Sequence, residues 1–322
     1  MVALRSRGAQ RPRARLRDVP APLRFSVLCL PNVPWDVLRG RVRRLEELGI
    51  EVAGVADHFV DWSRPPSPWF ESWTAMTGLA AATTSIRIAS AVTQISLRNP
   101  AMFARQALTL DHVSGGRLEI GLGTGISVDP SYDMIGVPDW EPGERVARFA
   151  EYLEIVDRLL RDEVTTYTGR FYRTEGAYMN PRPIQSPRPP ITVAALGPVM
   201  MHHAARRADT WNSMSFLESF EAQLDETRGR VATMEATCAA VGRDPTTLRR
   251  SYLMFDATAR PRGGSMACYE SVDRFEEMAS RVIDLGMDEI GLYHPLDERQ
   301  VPTFERVATD VLPRLRARYP GP

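Results

Sequence analysis

An aspartate and a histidine stand side by side early in the chain, at Asp57 and His58, directly after the apolar run Val52–Ala56. Trp62 follows the histidine by four residues. Because the apolar run is typical of a buried strand, the pair stands where that strand ends. A carboxylate beside an imidazole can set its tautomer and charge, which suits proton transfer near neutral pH. A histidine that only satisfies a loop carbonyl is the other interpretation, and these residues alone leave both open.

Two further segments have the composition of ligand-binding turns. Residues 121–125, Gly-Leu-Gly-Thr-Gly, follow an apolar run, and their glycines let a ligand or another backbone approach closely. Residues 195–198, Ala-Leu-Gly-Pro, precede an amphipathic segment. Free amides and the positive end of a helix dipole would suit a phosphate group there. A tight turn and a short strand–helix loop are the ordinary interpretations of these two segments.

Short apolar runs alternate eight times with longer amphipathic ones. The predicted strands are Arg24–Leu30, Val52–Ala56, Ile86–Thr93, Arg117–Gly123, Ile191–Ala195, Thr210–Ser213, Ser251–Asp256 and Glu289–Tyr293. The predicted helices are Trp35–Leu48, Trp69–Thr83, Pro100–Val113, Pro142–Arg161, Pro198–Ala208, Glu218–Val241, Val272–Leu285 and Gln300–Tyr319. This alternation predicts an α/β fold, a closed (β/α)8 TIM barrel whose chemistry gathers at the C-terminal ends of the strands. An open doubly wound sheet would need a Gly-rich turn after its first strand, and residues 30–34, Leu-Pro-Asn-Val-Pro, are not one.

Three stretches depart from the alternation. A Tyr/Gly/Pro-rich insertion between Arg161 and Ile191, after the fourth predicted helix, is expected to form a hairpin and an extended arm over the barrel. A stretch from Arg260 to Ser271 contains a Gly-Gly pair and is expected to form a mobile lid. Residues 1–22, rich in arginine and interrupted by prolines, are predicted to be a disordered basic extension. Residues 23–322 are then one barrel domain.

The composition excludes several classes of function. All forty basic residues are arginine, so Schiff-base chemistry on a lysine is excluded, and forty acidic residues balance them. Zero net charge gives no support to a nucleic-acid partner or an anionic membrane. The three cysteines are widely spaced, which favours a reducing, cytoplasmic setting over a disulfide framework. No apolar run approaches the ~18 residues that span a bilayer, and no His/Cys/carboxylate cluster has metal spacing, so we expect neither a membrane nor a metal.

Five segments carry a family pattern across nearly the whole chain. They read VADHF (Val55–Phe59), SWTAMTGLAAATTSIRIASAV (Ser72–Val92), NPAMFARQALTLDHVSGGRLEIGLGTG (Asn99–Gly125), PGERVARFAEYLEIV (Pro142–Val156) and ARRADTWN (Ala205–Asn212). In this order they resemble the luciferase-like monooxygenase superfamily, and DHVSGGRLEIGLGTG is the most specific part. The Asp-His-Phe after the second strand and the interval from His58 to Trp62 are similar to the branch that uses the deazaflavin coenzyme F420. FMN-dependent members more often carry Glu-His-His there.

The resemblance implies an oxidoreductase that transfers a hydride between coenzyme F420 and a small organic substrate, and a homodimer. It gives His58 a proton-transferring or charge-stabilising role and places Trp62 in the pocket wall. Cofactor contacts are implied for Asp57, Ser90, Ala91 and Thr93, for Thr124 and Gly125 at the ring, and for Leu196, Gly197, Val199 and Met200 at the phosphate. A non-proline cis peptide is implied at Ser90-Ala91, beneath the ring.

The sequence also departs from part of that branch. In its sugar-phosphate dehydrogenases a glutamate follows the Gly-Thr-Gly and donates a proton, whereas Ile126 stands here. Their phosphate-binding lysines have no counterpart in a chain without lysine, which argues against glucose 6-phosphate as substrate. Two alternatives stay open: an FMN-dependent monooxygenase supplied by a separate reductase, and a barrel that binds a flavin without turnover.

Overall fold

The computed structural model describes residues 22–127 and 129–320. The predicted extension 1–22 therefore lies, except for Pro22, outside the described residues. The strands are β1 (Arg24–Cys29), β2 (Val52–Val55), β3 (Arg87–Ser90), β4 (Thr93–Gln94), β5 (Leu118–Gly123), β6 (Val164–Thr168), β7 (Arg173–Tyr178), β8 (Ile191–Ala194), β9 (Thr210–Ser213), β10 (Arg249–Leu253) and β11 (Glu289–Tyr293). The α-helices are α1 (Trp35–Glu47), α2 (Ser72–Ala81), α3 (Pro100–Val113), α4 (Ser131–Ile135), α5 (Pro142–Arg161), α6 (Pro198–Arg207), α7 (Phe220–Ala240), α8 (Val272–Ile283), α9 (Val301–Arg306) and α10 (Leu312–Arg318).

The parallel strands close into a barrel. Going round it, β1, β2, β3, β5, β8, β9, β10 and β11 each pair with the next, and β11 pairs with β1. The short strand β4 continues β3 after a break and also pairs with β5. Helices follow the strands on the outside, so the predicted (β/α)8 TIM barrel is confirmed.

The predicted boundaries agree best where caps are clear. Helix α3 begins at Pro100, after Asn99 whose side chain accepts the N–H of the next two helical residues, and it ends at Val113 as predicted. The predicted strand 86–93 is interrupted, giving β3 and β4. Helix α4 is additional to the predicted set, and a π-turn at Val307–Val311 joins α9 to α10 in place of one regular helix.

The insertion after α5 forms the predicted hairpin. Strands β6 and β7 pair antiparallel, with Val164 opposite Tyr178. Glu151 of α5 accepts hydrogen bonds from the N–H groups of Arg170, Phe171 and Tyr172 at 2.8, 3.0 and 3.2 Å. This carboxylate therefore fixes the hairpin turn to the outside of the barrel.

Charged residues fill the interior of the barrel at the N-terminal ends of its strands. Arg24 donates to Glu119 at 2.7 Å and to Glu289 at 2.5 Å. Arg87 donates to the same Glu119 at 2.5 Å. Glu119 and Glu289 are buried, so this end of the barrel is closed by ion pairs rather than by apolar packing.

The opposite end of the interior is apolar. Side chains alternate along a strand, so Leu28 shares the interior face with Arg24, and Tyr293 shares it with Glu289. Leu28 packs in one cluster with Ala56, Leu253 and Tyr293. This layer forms the floor of the open end, where the strands finish.

Candidate active site

A cavity of about 450 Å³ opens at the C-terminal ends of the strands, above the apolar floor. Its size is within the usual range for small-molecule sites, about 300–1,000 Å³. The predicted site residues in its wall are His58, Trp62, Ala91, Thr124, Gly125, Leu196, Gly197 and Met200. The other four, Asp57, Ser90, Thr93 and Val199, lie outside the lining.

His58 is held by a buried carboxylate. Its Nδ1 lies 2.6 Å from Oδ2 of Asp129, whose side chain is completely buried. The imidazole also meets Trp69 edge to face, with ring centroids 5.8 Å apart. These two contacts fix the ring in the cavity wall.

A buried amide completes the support for this pair. Gln94, in β4, donates to Oδ2 of Asp129 and to the carbonyl of Asp57, both at 2.8 Å. Its Oε1 accepts the hydroxyl proton of Tyr132 at 2.7 Å. Both amide protons and the amide oxygen are thus used, which fixes the orientation of Gln94 and, through it, of Asp129.

The electrostatics of Asp129 determine which histidine nitrogen carries the proton. Burial acts to raise the pKa of Asp129, but hydrogen bonds from His58, Gln94 and Ser131 outweigh it and hold that pKa well below its usual range. An ionised carboxylate only accepts hydrogen bonds, so Nδ1 of His58 must donate. The second ring nitrogen, Nε2, is then the one available to the cavity as a base when the ring is neutral and as an acid when it is protonated.

Asp57 lies behind the wall and is already paired. Its two carboxylate oxygens accept hydrogen bonds from Arg98 at 2.5 and 3.0 Å, and the residue is buried. Arg98 also binds Glu71. The predicted contact of Asp57 with a cofactor remains a prediction, and the carboxylate could make it only by sharing or leaving Arg98.

The break between β3 and β4 forms one side of the cavity. The resemblance placed a cis peptide at Ser90-Ala91, which is wrong by one residue, since the cis bond is Ala91-Val92. Pairing with β2 extends to the N–H of Ala91, which donates to the carbonyl of Val55 at 2.9 Å, so the break falls after Ala91. The hydroxyl of Ser90 forms hydrogen bonds with the backbone of Gly121, so Ser90 links β3 to β5.

The loop after β5 approaches closely to the His58 support. Gly125 has a φ of +80°, and a Cβ there would lie 2.1 Å from the hydroxyl of Tyr132 and 2.5 Å from Oε1 of Gln94. Glycine is therefore required at this position by both backbone conformation and space. Thr124 stands beside it in the cavity wall, and Thr93, by contrast, accepts the indole N–H of Trp73 at 3.0 Å beneath the surface.

Helix α6 points its N-terminus at the cavity rim. Gly197 is the capping residue, and no side chain among the described residues caps the helix. The N–H groups of Val199 and Met200 precede the first intrahelical bond, which Met201 donates to Gly197 at 2.9 Å. The Val199 side chain is 59% exposed, and Val199 is not among the residues that line the cavity.

The sequence of the chain matches the model of the luciferase-like monooxygenase family over residues 21–277. The chain belongs to this family. It is 33% identical over 170 residues to the F420-dependent glucose-6-phosphate dehydrogenase of Intrasporangium calvum, covering 52% of this chain and 50% of the relative. The enzyme of the same name from Amycolatopsis mediterranei is 31% identical over 180 residues, 55% of this chain and 52% of the relative. The chain thus spans about half the length of the curated relatives it matches.

A solved structure shows the same fold over a larger share of the chain. The coenzyme F420 dependent tetrahydromethanopterin reductase of Methanopyrus kandleri superposes with a TM-score of 0.74 at 18% identity. The match covers 91% of this chain and 99% of that one. The two proteins therefore share one fold over most of this chain.

This luciferase-like barrel has site residues that the sequence analysis missed. Asp129, Gln94 and Tyr132 support His58, and none of them was assigned a role. Gln94 comes directly after the predicted strand Ile86–Thr93, and that position was the available signal for it. Asp129 stands in the loop after the Gly-Thr-Gly and Ile126, where no pattern separates it from a solvated aspartate.

The described residues contain neither a candidate metal site nor a candidate membrane span. Among residues 22–127 and 129–320, no three His, Cys, Asp or Glu side chains converge on a possible metal position. No helix in that part of the chain is long and apolar enough to cross a membrane. The cysteines Cys29, Cys238 and Cys268 are free and buried.

Proposed function

We propose that this protein is an oxidoreductase that transfers a hydride between coenzyme F420 and a small organic substrate. The observation that carries the proposal is an imidazole oriented by a buried carboxylate in the wall of a largely apolar barrel mouth. His58 and Asp129 form that pair, at 2.6 Å. The names of the relatives support F420 as the cofactor. A homodimer and a cytoplasmic setting belong to the same proposal.

The residues present fit such a cofactor. The amides of Val199 and Met200 and the side-chain-free Gly197 form a cradle suited to a phosphate group. Thr124 and Gly125 would line the ring, beside the backbone break after Ala91. When bound, the deazaflavin supplies a carbon centre that gives or accepts a hydride.

The chain's own residues then transfer protons and exclude water. Nε2 of His58 holds or receives the proton that a reacting oxygen exchanges, and Asp129 stabilises the imidazolium that results. Trp62 contributes to the wall that keeps water from the reacting groups. The aspartate acts through the histidine and is a positioning residue.

Cofactor choice is the first measurement. We expect F420 to bind at least about tenfold more tightly than FMN, a difference of ~1.4 kcal/mol. Quenching of cofactor fluorescence in parallel titrations measures both affinities. Tight FMN binding without measurable F420 binding would favour a flavin-dependent monooxygenase, and binding of both without redox change would favour a barrel that only carries the cofactor.

The phosphate cradle is tested by Gly197→Val. A Cβ at Gly197 meets nothing within 4 Å, and the backbone φ of −104° suits a side chain, so stability should not change. Affinity for F420 should fall by about tenfold or more, because the branched side chain enters the space of the phosphate. Gly143→Val is the matched control, since Gly143 also stands near a helix N-terminus with nothing within 4 Å. Equal F420 affinity in both variants would place the phosphate elsewhere.

A further inference from the structure

The wall of the cavity is dominated by aromatic and aliphatic side chains. Trp69, Met214, Phe216 and Phe255 line it above the apolar floor. Phe216 is 51% exposed, and its ring meets Phe255 edge to face with centroids 5.5 Å apart. An aromatic ring left half open at a cavity mouth gains burial when an apolar ligand enters.

One arginine in the wall is already neutralised. Arg260 lies 3.1 Å from a carboxylate oxygen of Asp61, whose side chain is only 2% exposed. An anionic ligand that drew Arg260 away would remove the counter-charge of this buried carboxylate and leave it only the hydrogen bonds from Ser63 and from the Arg64 N–H. Arg260 is therefore held by the protein and is a poor anchor for a substrate phosphate or carboxylate.

The acidic residue in the wall is satisfied in the same way. Asp256 accepts hydrogen bonds from Arg262 at 2.5 Å and from the N–H of Ala267 at 2.9 Å through one oxygen. Its other oxygen accepts two bonds from Thr258, at 2.9 and 2.8 Å. Arg260 and Asp256, the arginine and the carboxylate among the residues that line the cavity, are thus each paired with an opposite charge within the protein.

A single phenol stands in the floor with its hydroxyl uncommitted. Tyr293 ends β11 on the interior face and lines the cavity, and its hydroxyl makes no hydrogen bond with any residue that the structure describes. Burial raises the pKa of Tyr293 to about 12, against the weaker opposing effect of Arg260. The hydroxyl therefore keeps its proton at neutral pH and can donate it in a hydrogen bond to an acceptor oxygen.

We infer that the substrate is a neutral, largely apolar carbonyl compound or the corresponding alcohol, bound with its oxygen on the Tyr293 hydroxyl. This inference rests on the proposed function, because it assigns the part of the cavity that the cofactor does not fill. Polar sugar phosphates would have to bury hydroxyls against Trp69, Phe216 and Phe255 without partners. An apolar ketone bound against these rings would give up only its contacts with water.

The test uses matched aromatic probes on the full-length chain, with and without F420. Acetophenone carries the carbonyl, benzoate replaces it with a charge, and toluene has neither. Isothermal titration should show acetophenone binding at least about tenfold more tightly than benzoate. Propiophenone and butyrophenone should each tighten binding by about fourfold per added methylene until the cavity is full. Benzoate or glucose 6-phosphate binding as tightly as acetophenone would overturn the inference.

Tyr293→Phe isolates the anchoring hydroxyl. It should weaken acetophenone binding by roughly two- to tenfold, the usual range for one net hydrogen bond, and leave toluene binding unchanged. Tyr178→Phe removes a hydroxyl from a side chain that is 67% exposed on the hairpin and should change neither affinity. A Tyr293→Phe variant of unaltered thermal stability that binds acetophenone as well as the parent would remove Tyr293 from the site.

The two proposals fail in different ways. If the chain binds acetophenone over benzoate but not F420, the proposed function falls and the assignment of an apolar, neutral ligand stands. If the chain binds F420 but prefers benzoate or glucose 6-phosphate, the cofactor assignment stands and the substrate class is wrong.

Discussion

His58→Ala is expected to lower turnover by roughly 10²–10⁴-fold, the usual contribution of a positioned acid or base. The loss should appear in kcat more than in KM, because a proton moves to or from the reacting oxygen chiefly in the transition state. F420 affinity should change far less, since the proposed phosphate contacts at the N-terminus of α6 do not involve the imidazole. Steady-state kinetics with F420 and a carbonyl substrate, beside an F420 titration, measure both quantities.

Asp129→Asn distinguishes the effect of the Asp129 charge on His58 from the packing of its side chain. The amide keeps the shape of the carboxylate but loses its charge, and it can donate to Nδ1 of His58, which would turn the proton-bearing nitrogen toward the cavity. We expect kcat to fall and KM to stay near the parent value, with the pH profile of kcat altered. His202→Ala, on an exposed residue of α6, is the control and should leave kcat unchanged.

Any of three results would count against this mechanism. A folded His58→Ala variant that binds F420 and turns over at the parent rate would leave the imidazole with only a structural role. A drop in thermal stability with normal turnover per folded molecule would have the same meaning. If Asp129→Asn matched the parent in both kcat and pH profile, the carboxylate would support the loop and not the histidine.

Local periodicity was enough to predict the barrel. Strands such as β9 and β11 and helices such as α3 have the predicted bounds, because buried parallel strands and capped amphipathic helices leave strong local signals. The exact position of the cis peptide was predicted less accurately. The cis peptide is one residue later than expected, since the pairing of β3 with β2 decides where the strand breaks, and that pairing is not local.

The site was predictable where it lies at strand ends and not where loops complete it. His58 and Trp62 line the cavity as the position after β2 implied. Asp129 comes to His58 from 71 residues further along, so their contact depends on how the loop after β5 folds. Tyr293 was assigned to a strand, but its place in the cavity depends on the interior register of the barrel and on the apolar residues around it.

The charged end of the barrel shows the same dependence and provides the prediction with the largest effect on stability. Arg24 meets Glu119 across 95 positions and Glu289 across 265, so no sequence window contains the cluster. Glu119→Ala should lower the free energy of unfolding by about 3–5 kcal/mol, because it leaves Arg24 and Arg87 in the interior without this shared partner. Urea unfolding followed by circular dichroism measures the change.

The free energy of unfolding at low pH, the acid limb of the pH–stability curve, tests the same carboxylate independently. Burial acts to raise the pKa of Glu119, but Arg24 and Arg87 outweigh it and lower that pKa from 4.5 to about 2. A folded-state pKa below the unfolded one means that the stabilisation is fully present above pH 4.5 and is lost as the pH falls from there toward 2. Glu119→Gln should flatten this part of the curve.

The control for both measurements is an exposed ion pair between an arginine and a glutamate. Glu175 lies 2.7 Å from Arg173 on the hairpin, but the two side chains are 74% and 68% exposed. Glu175→Ala should therefore cost at most about 0.5 kcal/mol and leave the acid limb unchanged, since water and salt screen an exposed pair. If Glu119→Ala cost no more than Glu175→Ala, the ion pairs would not be what closes this end of the barrel, and its stability would have to come from the surrounding packing alone.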